Sequence, residues 1–263
     1  MTAEQKALTR LENASDPAVC GRKAFNLSLL AGAGFAVPPG FVIPAGAAVE
    51  KVEAELAAAF GELGGSAAVR SSAVGEDGAK RSFAGQFDSF LGVNAGALRK
   101  AVEACLASAA GGRAAAYGDA GGMAVIVQRM IAAEVSGVAF TCDPVTGDRN
   151  IIVIEAVRGL CEPLVSGRVT PDHYELDRAG LREKERKAAA QAELLAADPA
   201  GGTRTLPVPE ALRAGPKLSA EQAALVARAA LRAEALFGGP VDIEWAFQDG
   251  ELWLLQARPV TGI

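Results

Sequence analysis

Residues 240–261 read PVDIEWAFQDGELWLLQARPVT, and how this stretch is paired decides the fold. Ile243, Trp245 and Phe247 alternate with Asp242 and Glu244, the period of a strand with one apolar and one charged face. Gln248, Asp249 and Gly250 interrupt the alternation, and a second strand is predicted from Glu251 to about Ala257. A two-residue Asp-Gly turn would pair Gln248 with Glu251 and set Glu244 beside Leu255, mixing charged with apolar side chains. A three-residue loop with Gly250 as a left-handed bulge pairs Phe247 with Glu251 instead. Trp245 then faces Trp253, and Ile243 faces Leu255. On the other side Asp242 lies across from Gln256, with Glu244 and Arg258 on the diagonal. The three-residue loop is therefore expected. It collects two carboxylates, an amide and a guanidinium on one face, the groups needed to hold Mg²⁺ and a polyphosphate. In isolation the same pattern also describes an ordinary solvated sheet face.

The chain has 263 residues and a formal net charge of −5; it is 50% hydrophobic but only 5% aromatic. That suffices for the core of one large or two small domains, packed more by close helix contact than by bulky side chains. No basic stripe is available to neutralise phosphates along a strand, so nucleic acid is not an expected partner. Cys20, Cys105, Cys142 and Cys161 are widely separated with no C-x-x-C spacing, which indicates neither a zinc site nor a disulfide framework. The start, MTAEQKALTRLEN, lacks an apolar signal core. No apolar run is long enough to span a bilayer. A cytoplasmic chain without a membrane partner is expected.

Working outward from the hairpin, residues 21–44 read GRKAFNLSLLAGAGFAVPPGFVIP. Ala24, Leu27, Leu30 and Ala31 recur at helical spacing, Gly34 stops the helix, and Phe41, Val42 and Ile43 begin a strand after a rigid Pro-Pro-Gly turn. Arg22 and Lys23 fall in the first helical turn, where the dipole already favours an anion. A lysine there disfavours the helix, which suits a ligand role as well as plain solvation. Residues 45–63 form a second helix, and Ala67, Ala68 and Val69 a strand that delivers Arg70, Ser71 and Ser72. The polar, Gly-containing residues 73–82 return through Phe83, Ala84, Gly85 and Gln86 into a strand over 87–93. Such a strand–loop–strand can fold a flap over phosphates through backbone N–H groups. Neither a Walker-type Gly-Lys-Ser/Thr nor a G-x-G-x-x-G is present.

Residues 98–110 read as a helix, and MAVIVQRM, residues 123–130, as a strand buried on both faces. Its Gln128 is either a satisfied strand-end amide or an adenine contact. A hairpin follows around residues 143–147. His173, the only histidine, has no companions at ligand spacing and reads as structural. Residues 182–197 are expected to be a charged helix and 198–216 a connection. Ser219 with Gln222 forms a capping box for a last helix that stops at Gly238.

In sequence and in order, the segments GRKAFNLSLLAGAGFAVPPGFVIP, AVRSSAVGEDGAKRSFAGQFDSFLGV, MAVIVQRM, SGVAFTCDPVTGDRNIIVIEA, GLCEPLVSGRVTPDHY and GGPVDIEWAFQDGELWLLQARPVT resemble one family. It is the N-terminal ATP-binding domain of pyruvate phosphate dikinase, phosphoenolpyruvate synthase and rifampicin phosphotransferase. The resemblance implies an α+β, ATP-grasp-like fold of two lobes, with mixed or antiparallel sheets flanked by helices. Residues 1–122 would be the N-terminal lobe with the phosphate-binding Lys/Arg and flap, and 123–263 the lobe with the adenine and metal side. It implies ATP and Mg²⁺ as cofactors. By matching position, Lys23 is similar to the family's phosphate-binding lysine, and Arg70 and Arg258 to its catalytic arginines. Gly85, Gln86 and Ser89 match the flap, Gln128 the adenine side, and Asp242, Glu244 and Gln256 the nucleotide ligands, with Glu244 and Gln256 on the metal. Phosphoryl transfer relies on positioning and charge neutralisation, which this set supplies.

In the family, ATP passes a phosphoryl group to a histidine on a swivelling domain. Neither that domain nor a phosphoenolpyruvate/pyruvate domain has a counterpart here, and His173 lies inside an ATP-domain motif. The leading expectation is an ATP-dependent phosphotransferase subunit that phosphorylates a histidine on a separate carrier domain or protein. A direct small-molecule kinase, a nucleotide-binding regulatory module without turnover, and a domain cut from a longer enzyme are the alternatives.

Overall fold

The computed structural model describes residues 8–74, 89–108 and 122–260. They fall into two compact units. The first is drawn from Met1–Gly32, Pro38–Met130 and Ala197–Gly202, the second from Ala33–Val37, Ile131–Ala196 and Thr203–Ile263.

The first unit is built on an antiparallel sheet of β1 (Thr9–Arg10), β2 (Gly40–Ile43), β3 (Ala67–Ala73), β4 (Ser89–Val93) and β5 (Met123–Arg129), in the order β1-β2-β5-β3-β4. β5 is central, and its apolar run is buried from Met123 to Gln128, as a strand covered on both faces should be. Helix α1 (Pro17–Gly32) packs on β2, β3 and β5. On the other face α2 (Val49–Gly61) and α3 (Ala95–Ser108) bury Leu56, Phe60, Val102 and Cys105 against Val69, Val125 and Val127. The sequence alone suggested a boundary between residues 122 and 123. The ladders from β5 to β2 and β3 put Met123–Arg129 in the first unit instead. Pairing partners so distant in sequence leave no local signal.

The second unit contains β6 (Val135–Phe140), β7 (Ile151–Arg158), β8 (Asp172–Asp177), β9 (Glu183–Lys187), the paired short strands β10 (Glu193–Ala197) and β11 (Thr203–Pro207), then β12 (Val241–Gln248) and β13 (Glu251–Pro259). Six of them form an antiparallel sheet in the order β13-β12-β6-β7-β8-β9. Helix α4 (Ala220–Phe237) starts on the expected capping box, in which Ser219 Oγ accepts from Gln222 N and Gln222 Oε1 from Ser219 N, and stops at Gly238 with φ 77°. Its alanine-rich side contacts β12, β13, β6, β7 and β8. Beyond β13, Leu254 N donates to Ala36 O, and Arg232 stacks over the Phe35 ring while donating to Ala33 O.

Two expectations are corrected in this unit. Residues 182–197 are not a helix: β9 pairs with β8, setting Lys187 opposite His173 and Glu185 opposite Glu175, and β10 follows. Glu, Lys and Arg are good helix formers, but an edge strand also accepts them, because its side chains stay mostly solvated. The C-terminal hairpin turns in two residues, not three. Asp249 (φ 53°) and Gly250 (φ 77°) are both left-handed, and Gln248 pairs with Glu251. That geometry matches the twist of the flanking strands. The extra residue sits inside β13 instead: Trp245 pairs with Leu254 and Glu244 with Gln256, leaving Leu255 as a bulge.

A buried polar knot ties β8 to the segment before α4. The side chains of Asp172 and Lys217 are fully buried, and Lys217 Nζ donates to Asp172 Oδ1 at 2.6 Å. Asp172 also accepts from Lys217 N, Ala189 N and the Tyr174 hydroxyl, and Tyr174 in turn accepts from Leu218 N. Lys217 Nζ donates to Ala189 O as well. Every strong group in the knot has a protein partner, the condition under which a buried ion pair is tolerated. Lys217→Met should destabilise the chain by ~3–5 kcal/mol, because it strands the Asp172 carboxylate, and Lys217→Met with Asp172→Leu should recover part of that loss in urea unfolding. Burial pushes the Tyr174 phenol up to about 12, with the Asp172 charge adding to the rise. An unfolded tyrosine ionises near pH 10. The folded state therefore holds the extra proton, and its Tyr174 contribution, whole below pH 10, should fade as the pH climbs to about 12. Ultraviolet titration of tyrosinate against unfolding midpoints over that window checks it.

Candidate functional site

In the second unit the apolar face of β12 carries Val241, Ile243, Trp245 and Phe247, all essentially sealed from solvent. Trp245 and Phe247 meet edge-on with ring centroids 5.7 Å apart. The opposite face carries Asp242 and Glu244, both half-buried. What brings partners to them is the bulge. Strict alternation along β13 would put Leu254, Gln256 and Arg258 on one face. The extra residue at Leu255 reverses the parity, so that Gln256 lies directly opposite Glu244 and Arg258 directly opposite Asp242. Directly opposed residues share a face. Arg258 Nε donates to both carboxylate oxygens of Asp242, at 3.0 and 2.8 Å. Gln256 is only 5% exposed. The four residues that the sequence singled out here are thus gathered, although by direct pairing in place of the expected diagonal.

The same face continues across the sheet. Glu244 pairs with Val138, Val138 with Glu155, Glu155 with His173 and His173 with Lys187. His173 stands between two carboxylates, 4.0 Å from Glu155 and 3.4 Å from Glu175. Sequence spacing concealed Glu155, which reaches His173 only through strand pairing, whereas Glu175 is two residues away along the same strand.

In the first unit the α1 hydrogen-bond run breaks at Gly21, where φ is 73° and ψ 164°. Arg22 and Lys23 therefore occupy the first turn of a new helical run, as the sequence suggested. Lys23 Nζ donates to Ser71 O at 3.4 Å, and Ala24 N donates to Ser72 Oγ at 3.2 Å. Arg70 pairs across the sheet with Ser89 on one side and Ile126 on the other. Lys23, Arg70 and Ser89 are accordingly grouped around β3. Gln128 belongs to this unit too; it is 2% exposed and its Nε2 donates to Pro38 O at 3.0 Å. Gly85 and Gln86 lie outside the described residues. Gly21 and Ser72 were not singled out beforehand, and the one signal was their place inside the GRK and RSS triplets.

Residues 46–263 match the family described as pyruvate phosphate dikinase, AMP/ATP-binding domain. The prodigiosin synthesizing transferase PigC of Serratia marcescens is 38% identical over 94% of this chain and 32% of its own length. Phosphoenolpyruvate synthase of Pyrococcus furiosus is 38% identical over 81% of this chain and 28% of its own. A rifampicin phosphotransferase from Streptomyces sp is 41% identical over 74% of this chain and 23% of its own. Among solved structures, the dinucleotide-forming acetyl-coenzyme A synthetase 1 of Ca. Korarchaeum cryptofilum matches 92% of this chain and 95% of that chain with a TM-score of 0.50 and 12% identity, a likeness of fold alone. The fold is α+β and ATP-grasp-like, with two large antiparallel sheets and a two-stranded one among the described residues, flanked by helices. No helix among the described residues is long and apolar enough to cross a membrane. The chain spans a third or less of the curated relatives named above, from 32% down to 23%, and over that span it belongs to the pyruvate phosphate dikinase AMP/ATP-binding domain family.

Proposed function

We propose that this chain binds Mg-ATP and donates a phosphoryl group to a histidine on a separate carrier domain or protein, as a dikinase-type phosphotransferase part. The observation that carries this reading is the pairing of Glu244 with Gln256 and of Asp242 with Arg258 on one half-buried sheet face. A carboxylate and an amide oxygen are hard ligands of the kind Mg²⁺ takes, and Mg²⁺ in nucleotide sites uses one or two carboxylates, waters and phosphate oxygens. Among the described residues no group of three or more His, Cys, Asp or Glu is arranged to hold a metal. When bound, Mg²⁺ would neutralise and orient phosphate oxygens.

In this reading Glu244 and Gln256 hold the metal, with Asp242 fixing the Arg258 guanidinium through its Nε. Lys23, Arg70 and Arg258 neutralise the charge that develops on the transferred group, and Ser89 with Gly85 and Gln86 covers the phosphates. Gln128 takes the adenine side. Nothing in the set need form a covalent bond, since phosphoryl transfer is accelerated by positioning and charge. The family supplies the histidine acceptor.

Mixing the chain with Mg-ATP and a candidate carrier should yield AMP, phosphohistidine on the carrier and one inorganic phosphate, water taking the remaining phosphoryl group. Arg258→Ala should cut transfer about 10²–10³-fold, the usual loss for one donor aimed at developing charge, while Mg-ATP affinity falls far less. Glu244→Gln should raise the Mg²⁺ concentration needed for half-maximal nucleotide binding, read by calorimetry across a Mg²⁺ series. Nucleotide turnover that depends on a small molecule and no carrier, or tight Mg-ATP binding with no transfer to any carrier, would sink the proposal.

A further inference from the structure

The break at Gly21 has to be satisfied somewhere. The helical run that restarts there has first-turn N–H groups that cannot find partners within that run. Glycine offers no side-chain oxygen to cap them. The oxygen comes from a different element, since Ser72 Oγ of β3 accepts from Ala24 N at 3.2 Å. Ala24 is the third residue of the new run, the position an N-cap oxygen ordinarily serves. Ser72 is 0% exposed, so no water competes for that bond. A Cβ at residue 21 would lie 2.2 Å from Ser72 O and 2.3 Å from Ser72 Oγ. Only glycine lets β3 come this close, and its positive φ strains any other residue.

The cap has chemical neighbours. Lys23, one residue before the capped N–H, donates through Nζ to Ser71 O. Arg70 lies on the same face of β3 as Ser72, because their partners Ile126 and Ala124 alternate together along β5. Lys23 and Arg70, two of the three cations assigned to the phosphates, are thereby referred to the same short piece of strand.

We propose that Ser72 is a positioning residue for the nucleotide site: by capping Ala24 from β3, it fixes the turn carrying Lys23 in register with Arg70. This rests on the reading of Lys23 and Arg70 as phosphate ligands. Gly21 is the second half of the device, since it breaks the helix where the cap is delivered. Ser72→Ala removes the oxygen and keeps the packing, Ser72→Thr keeps the oxygen, and Gly21→Ala pushes the turn away from β3.

Hydrogen exchange on the intact chain, read by mass spectrometry, tests the cap without nucleotide. Ser72→Ala and Gly21→Ala should speed exchange in peptides covering residues 21–27 by about fivefold, the usual worth of an N-cap. Peptides from α4 should not change. In calorimetry Ser72→Ala should weaken Mg-ATP binding by up to about fivefold, and Ser72→Thr should remain near wild type in both measurements. Unchanged exchange in Ser72→Ala overturns the proposal, as does faster exchange with undiminished Mg-ATP affinity or a Thr variant as impaired as the Ala one. A wild-type chain that binds no Mg-ATP overturns the phosphate reading itself, while the exchange experiment still decides whether Ser72 holds the turn.

Discussion

One inserted residue governs the charged face of the second unit. A strand has a side-chain period of two, so each extra residue in a ladder exchanges the two faces for everything beyond it. At Leu255 that exchange happens between the apolar half of the hairpin and its charged half. Before it, Leu254 stands with Trp245 on the sealed face; after it, Gln256 and Arg258 join Glu244 and Asp242 on the other. Without the bulge Arg258 would be driven into the alanine-rich packing under α4, where an unpaired guanidinium costs several kcal/mol. Burial and charge therefore both specify the same register, and neither could do so with an unbroken strand.

The first unit solves a related problem in a helix. There the irregularity is the break at Gly21, and it too sets charged residues against a strand, here Lys23 over Ser71. In both units a local defect in regular structure coincides with the residues assigned to phosphate chemistry. Regular helices and strands present side chains at fixed angles, and a defect is the cheapest way to re-aim one.

Local signals carried much of the fold. The Ser219–Gln222 box, the stop at Gly238, the apolar run of β5 and the two strands of the C-terminal hairpin were each legible because capping, turn chemistry and periodicity act over a few residues. The choice of a three-residue loop was mistaken for an informative reason: it put the right residues on the charged face, but the turn takes two residues and the bulge at Leu255 sets the partners of Asp242 and Glu244 two positions further along β13 than expected. Residues 182–197 misled because their helix-forming composition is overruled by pairing with β8. Candidate residues near the hairpin could be named from sequence, since their partners lie a dozen positions away. The Ser72–Ala24 bond spans 48 residues and the Lys217–Asp172 pair 45, and no pattern within a window of a helix or strand reports such contacts.

The hydrogen bond from Leu254 to Ala36 has a consequence for solubility. A six-stranded open sheet has two rims whose unpaired backbone can recruit other chains into aggregates. One rim, β9, is the sequence EKERK, and its density of charge repels a growing stack. The other rim is β13, which is apolar for much of its length and has no such defence of its own; the segment Ala33–Val37, clasped by Arg232, lies along it. A fragment trimmed to begin at residue 131 would keep every strand of that sheet yet lose its guard, and the bare rim would invite intermolecular β-pairing.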